Sequence, residues 1–228
     1  PELTELVRQT LNMSDFFIFP SDWAKDRIGF IGENCKVVYN RPMKIFHQHK
    51  KRDITLGDKI RLVTHHWSMN PKKGFDIYQK LQEYIDDTGA FEFTYIGRKP
   101  DNVMISKHIQ PISAVELSKE LTNHDIYITA SIEEAGANHV LEALAAGLPV
   151  VYHKEGGSIV DYCKDYGTEF DCFKSLIESI NKSIYQYETL KKNVLSYKED
   201  NSKVVKEYIK IIEELKIDDN PIRKEWEA

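Results

Sequence analysis

Cysteine is scarce and scattered. Cys35, Cys163 and Cys172 are an odd set in no CxxC pattern. That excludes a disulfide scaffold and fits reduced thiols, and the spacing is wrong for zinc. The nearest approach to a metal pair is His47-x-His49, inside the polar run His47-Gln48-His49-Lys50-Lys51-Arg52-Asp53. It reads as a solvated loop, or at most as a short patch against anionic headgroups. No run is long and apolar enough to span a bilayer, and the opening residues do not read as a signal peptide. The expectation is a cytoplasmic protein, touching a membrane only peripherally and through its full-length form. An excess of positive charge is also missing: the net charge is −5, which argues against a general polyanion binder. The 12 tyrosines are dispersed, so no aromatic-basic nucleic-acid surface stands out. There is no internal repeat and no low-complexity tract.

What is present is an ordinary globular composition. A chain of 228 residues, 41% apolar and 29% charged, can bury a real core in one large or two small domains. Its organising stretch runs from Ile126 to Tyr152. Ile126-Tyr127-Ile128-Thr129-Ala130 is a short β-branched run, a buried strand. A loop follows, then a helix with Val140, Leu141, Leu144 and Ala145 on one face, with Asn138 as its expected cap. Gly147 stands where that helix should stop, and Leu148-Pro149-Val150-Val151-Tyr152 begins another strand. Glu134 lies in the loop and Glu142 eight residues later, one turn into the helix. A loop before a helix N-terminus suits a phosphate, and a carboxylate one turn further can accept from sugar hydroxyls. Phosphate and sugar together suggest a nucleotide. The competing reading of Glu142 is a surface residue favoured by the helix dipole.

Glu-x7-Glu followed by Ala-Leu-Ala-Ala-Gly-Leu-Pro-Val-Val resembles the retaining nucleotide-sugar glycosyltransferases of family 4 (group 1), which have the two-domain GT-B fold. The resemblance implies that Glu142 binds the nucleotide ribose and that Glu134 contacts the donor sugar near the reacting centre. It implies that the Gly136-Ala137-Asn138 segment offers backbone amides to the phosphates. Glu133 is one residue off the motif spacing and reads as a solvated loop charge. Lys73, before Gly74 in a strand-loop-helix context, matches the family's phosphate-pairing lysine. The family often has an Arg five residues earlier; here that place is Ser68, and Arg98 is the candidate substitute, which could also stack on the base.

The rest of the chain fits a doubly wound parallel sheet. Glu2–Leu11 has helical spacing, Ser14–Phe19 looks like a strand, and Pro20–Trp23 reads as a turn into a helix capped by Ser21 or Asp22. Lys36–Asn40 is extended, and Asn40-Arg41-Pro42 reads as a turn. Lys59–Thr64 is a strand, with His65, His66 and Trp67 in the loop after it, either lining a crevice or packing at the strand end. Phe75–Leu81 begins a helix, Phe91–Gly97 alternates as a strand, and Ile105–Gln110 is a short one. Ser113-Ala114-Val115-Glu116 has a capping-box pattern. The order from Lys59 to Tyr152 is β-α-β-β-α-β-α-β. Gly156-Gly157 reads equally as a close approach to a ligand or as a turn. Phe173–Leu195 and Lys203–Leu215 are amphipathic helices, the second capped by Asn201 or Ser202, and the polar last ten residues read as frayed.

The expected division is residues 1–40 as a remnant of the last βα unit of an acceptor domain plus linker, 41–200 as a donor-binding domain, and 201–228 as a C-terminal helix and tail. By resemblance the terminal helix crosses back to the first domain. The chain then reads as the donor half of a retaining enzyme, incomplete and inactive alone, moving a sugar to a glycan, lipid or other small acceptor. The resemblance implies no obligatory metal, and an acceptor site in a missing N-terminal domain or a partner chain. Two alternatives stay open: a nucleotide-sugar-binding module without activity, and a GT-B epimerase.

Overall fold

The computed structural model describes residues 5–49, 54 and 58–217. Helix α1 (Glu5–Met13) leads into β1 (Phe17–Phe19), α2 (Asp22–Ile28) and β2 (Cys35–Val37). Strands β1 and β2 pair in parallel as a separate two-stranded sheet. Ser21 is the cap of α2, accepting from the Ala24 amide at 3.0 Å. No turn forms at Asn40-Arg41-Pro42. Arg41 is instead held by Glu199 at 2.8 Å and Glu207 at 3.0 Å, which ties this connection to the C-terminal helix.

The main sheet carries β3 (Arg61–His66), β4 (Glu92–Gly97), β5 (Lys107–Ile109), β6 (Ile126–Thr129), β7 (Val150–His153) and β8 (Gly167–Phe170). All pair in parallel, in the order β5-β4-β3-β6-β7-β8. This is the doubly wound order, with its switch point between β3 and β6. Strand β8 escapes the sequence reading. It is a four-residue edge strand paired along its length with β7, with Gly167 packed close on the Val150 carbonyl.

Side-chain alternation divides the core between the two faces. Leu62, Ile126, Ile128 and Val151 face α3 (Phe75–Thr88) and α7 (Phe173–Tyr185). Val63, Tyr127, Val150 and Tyr152 face α4 (Ala114–Leu121), α5 (Asn138–Ala145) and α6 (Ser158–Cys163). A strand buried on both faces reads as a continuous apolar run, as these do. The capping box at Ser113 and Glu116 forms. Helix α5 ends in a Schellman motif: Gly147 has φ 83°, and the Leu148 amide reaches the Ala143 carbonyl at 3.0 Å.

Three expectations are corrected. Phe173–Leu195 is two helices, α7 and α8 (Tyr187–Leu195), broken at Gln186. The break carries the chain around the β8 edge, for Tyr187 packs in one core and Val194 in the other. Helix α9 (Asn201–Ile217) is not capped by Asn201 or Ser202; Asp200 accepts from the Ser202 amide at 2.9 Å. The terminal helix does return to the first unit, where Lys210, Ile211 and Glu214 line a crevice with Lys36, Val37 and Val38. Finally, His47 is not in a solvated loop. It sits in a 3-10 turn, bonds the Glu199 carbonyl at 2.9 Å and stacks on Tyr197. Residues 50–53 of that run, the start of the first helix before Glu5 and the polar tail beyond 217 lie outside the described residues.

Candidate functional site

In an open parallel sheet, ligands bind outside the carboxyl ends of the strands at the switch point. Here two loops meet at that place. After β3, Asn70 caps a 3-10 turn at Pro71–Lys73, its side chain accepting from the Lys72 amide at 3.0 Å. Gly74 closes the turn with φ 76°, where a Cβ would stand 2.5 Å from that of Ala130. Only glycine lets the start of α3 come so near the end of β6, and the result delivers Lys73 beside the loop after β6.

That second loop is braced along its backbone. The amides of Ile132, Glu133 and Glu134 donate to the carbonyls of Lys72, Glu155 and Gly156 at 2.9, 2.8 and 3.1 Å. Gly157, with φ 70°, would place a Cβ 2.6 Å from the Glu134 carbonyl oxygen, so the glycine pair serves an approach between two loops. Glu133 takes φ 54°, a left-handed conformation rare outside glycine. The two neighbouring carboxylates then diverge. Glu133 pairs with Lys72 and with Arg27 of α2, so it is not simply solvated. The Lys72 hydrogen bond, with Arg27 beside it, holds its carboxyl below the usual range. Glu134 pairs with Lys73, and both side chains are largely buried, at 19% and 15% exposure.

Helix α5 opens at Asn138, not after it. Its cap is Ala137 (φ −82°, ψ 83°), which offers no side-chain oxygen. The first turn therefore has no side-chain cap to compete with an anion for its amides. The Asn138 amide itself turns back to the Gly136 carbonyl at 3.1 Å. Ala137 is buried, and Gly136 packs on Asn40 and Pro20, where a Cβ would meet atoms at 2.7 and 2.9 Å. Ser21 Oγ donates to the Ala135 carbonyl at 2.6 Å. The small N-terminal unit thus holds this loop from behind.

Glu142 faces β3 from α5. Its Oε2 lies 2.8 Å from His65 Nε2, with His65 almost wholly buried and Glu142 15% exposed. His65 and His66, expected in the loop, are strand residues beneath the crevice; Trp67 alone of the three is exposed. His66 Nε2 reaches Tyr78 Oη at 2.8 Å, and that hydroxyl accepts from the Ala130 amide at 2.9 Å. His139 Nε2 reaches Thr129 Oγ1 at 3.0 Å. Burial, then the positive charge of Lys73, pushes the His66 pKa well below its ordinary value. Burial, then its histidine neighbours and Lys73, does the same to His139. Among the described residues, His66 Nδ1 and Ser131 Oγ are buried without a hydrogen-bond partner.

The Lys73–Glu134 pair and Glu142, against His65, therefore all stand at the carboxyl ends of β3 and β6. Ser68 and Arg98 follow the ends of β3 and β4, and no contact joins either to those three residues among the described ones. Ser68 is exposed and its hydroxyl oxygen accepts from the Asn70 amide at 3.1 Å. Arg98 is exposed; its amide bonds the His66 carbonyl at 2.9 Å and its own carbonyl accepts from Tyr95 at 2.7 Å. Sequence reading named His65 and His66 as crevice or strand-end residues, and it missed Tyr127, Thr129 and His139 as the buried groups around them. Ending the strand at Thr64 pushed both histidines into a loop. The one signal for His139 was its place a helical turn before Ala143, on the apolar stripe of α5. Among the described residues no His/Cys/Asp/Glu cluster could hold a metal ion, and no helix is long and apolar enough to cross a membrane.

A doubly wound sheet with a cation, an uncapped helix start and two carboxylates at its switch point has the layout of a nucleotide-binding sheet. Residues 93–218 match the family model described as glycosyl transferases group 1, and the chain belongs to that family. No curated protein matches it in sequence. Among solved structures it is similar to the pneumococcal O-GlcNAc transferase GtfA in complex with UDP and GlcNAc, with TM-score 0.71 and 13% identity over 94% of this chain and 48% of that one. Sucrose-phosphate synthase from Thermosynechococcus elongatus gives TM-score 0.71 and 13% identity over 92% and 61%. Anabaena HepE in complex with UDP and glucose gives 0.70 and 16% over 91% and 65%. The chain spans about half the length of the first of these and under two thirds of the others. At such identity the likeness defines the fold: the C-terminal, Rossmann-like domain of a GT-B protein with a remnant of the N-terminal one.

Proposed function

We propose that the chain is the donor-binding portion of a retaining glycosyltransferase, which moves a sugar from a nucleotide-sugar to an acceptor. The observation that carries this is the Lys73–Glu134 pair, with Glu142 held against the end of β3, at the carboxyl ends of the two strands that form the switch point. Lys73 and the first turn of α5 take the diphosphate, Glu142 takes ribose hydroxyls, and Glu134 faces the transferred sugar. Holding the diphosphate leaving group and meeting its growing charge is the main catalytic contribution. The ammonium and the helix dipole supply that charge from the protein itself, so the reading needs no metal. The acceptor contacts lie outside the stretch described, in another domain or a partner chain, and the chain alone binds donor without robust transfer. The UDP in the GtfA and HepE structures supports a nucleotide-sugar as ligand class.

The test is a thermal-shift screen of the chain against UDP-, GDP-, ADP- and dTDP-sugars, since a ligand that binds only the folded state raises the melting point by mass action. One nucleotide family should stand out, with no metal added. A flat response across all four sinks the proposal.

A further inference from the structure

We infer that His65 is a positioning residue for Glu142: it holds one carboxylate oxygen so that the other is presented to the ribose. This deepens the reading above and rests on Glu142 being the ribose contact.

A glutamate side chain has three rotatable bonds, and on an open crevice it would sample several directions. Here Oε2 is fixed by His65 Nε2 at 2.8 Å. His65 is itself fixed from behind. Tyr127 Oη accepts from the His65 amide at 3.1 Å and lies 3.1 Å from His65 Nδ1. The Tyr127 ring also packs edge-on to the imidazole, with centroids 5.4 Å apart. The Tyr127 hydroxyl can give its one proton to Nδ1 or to the His65 carbonyl at 3.3 Å; with it on Nδ1, the histidine carries its own proton on Nε2 and donates it to the carboxylate. Oε1 then remains the acceptor for a hydroxyl. The whole chain of contacts runs from β6 through β3 to α5, the elements that meet at the switch point. An aromatic or aliphatic residue would fill the strand position equally well. What histidine adds is a donor aimed at the functional carboxylate, as a residue behind a metal ligand orients that ligand.

The test uses calorimetric titration of the chain with UDP, GDP and ADP, each beside its 2′-deoxy and 3′-deoxy counterparts. The wild-type chain should prefer one ribonucleotide over one of its deoxy forms by about tenfold or more, the worth of a hydrogen bond to a charged group. His65→Phe keeps the ring but removes the donor, and should cut that preference to about threefold or less. His65→Gln, whose amide can reach Glu142, should restore most of it. Glu142→Gln should lower the preference as well. A merely structural role for His65 would weaken ribo and deoxy forms equally and leave their ratio intact. If Glu142→Gln removes the preference and His65→Phe leaves it whole, the inference is overturned and the ribose reading stands. If Glu142→Gln keeps the full preference, or no diphosphate binds, both fall together. Should His65→Phe not fold, His65→Asn carries the same comparison, its amide serving Tyr127 but falling short of Glu142.

Discussion

At the scale of single residues, the pairing of Lys73 with Glu134 changes what each should do in a binding experiment. A diphosphate and Glu134 compete for one ammonium. Lys73→Ala should weaken nucleoside diphosphate binding by about 1.5–3 kcal/mol and leave the free nucleoside almost unaffected. Equal losses for both ligands would place Lys73 in the fold, or under the base. Glu134→Gln releases Lys73 to the phosphate, so affinity for the bare diphosphate should hold or rise while the sugar-bearing donor binds less well. Glu142→Gln should instead weaken both ligands together, by up to about 1.5–3 kcal/mol. Paired titrations of the two variants check this division; a loss of bare diphosphate by Glu134→Gln as large as that of Glu142→Gln would show the roles misassigned.

At the scale of elements, the site depends on how closely strand ends approach. Gly97 ends β4 at φ 110°, and a Cβ there would lie 2.0 Å from the His66 carbonyl oxygen. That carbonyl also receives the Arg98 amide at 2.9 Å, so the end of β3 cannot yield freely. Gly97→Ala should cost about 2–4 kcal/mol, combining backbone strain with a clash against a fixed strand. Urea denaturation measures it; a cost below about 1 kcal/mol would mean that the β3–β4 edge is soft. Sequence patterning marked the end of this strand correctly, because glycine after an alternating run is a strong stop. It could not show that this glycine faces the backbone of β3, since that contact joins residues thirty-one apart.

At the scale of the molecule, two buried histidines couple the site to pH. His66 and His139 have folded-state pKa values well below those of an unfolded chain. Below about pH 6.5 the unfolded chain takes up protons that the folded one refuses, so stability falls as pH falls. Above that pH both states are neutral there and the contribution is complete. The slope is at most about 1.4 kcal/mol per pH unit for each histidine, until its folded-state pKa is reached. Urea midpoints at pH 7.5, 6.5 and 5.5 should show the decline, and His139→Gln should make it shallower. Parallel profiles for the variant and the wild-type chain would remove His139 from the explanation. The N-terminal unit also acts on the whole: Pro20, Ser21, Arg27 and Asn40 all touch the loop that carries Glu133 to Gly136.

The amino-acid sequence by itself determined the alternation of strands and helices from β3 to β7, the cap at Ser113 and the stop at Gly147, and it narrowed the cap of α2 to Ser21 or Asp22. Each is a local matter of periodicity, a short polar side chain or a missing Cβ. It also marked Lys73, Glu134 and Glu142, through motif spacing on loops and a helix start. Tertiary structure alone decided which of these meet. Lys73 and Glu134 are sixty-one residues apart, and only parallel pairing of β3 with β6 makes them neighbours. His65 and Glu142 are seventy-seven apart, and no propensity or pattern records that one side chain ends 2.8 Å from the other. The edge strand β8 and the break at Gln186 belong to the same class. A four-residue strand and a helix that changes faces are set by what packs against them, and packing is long-range.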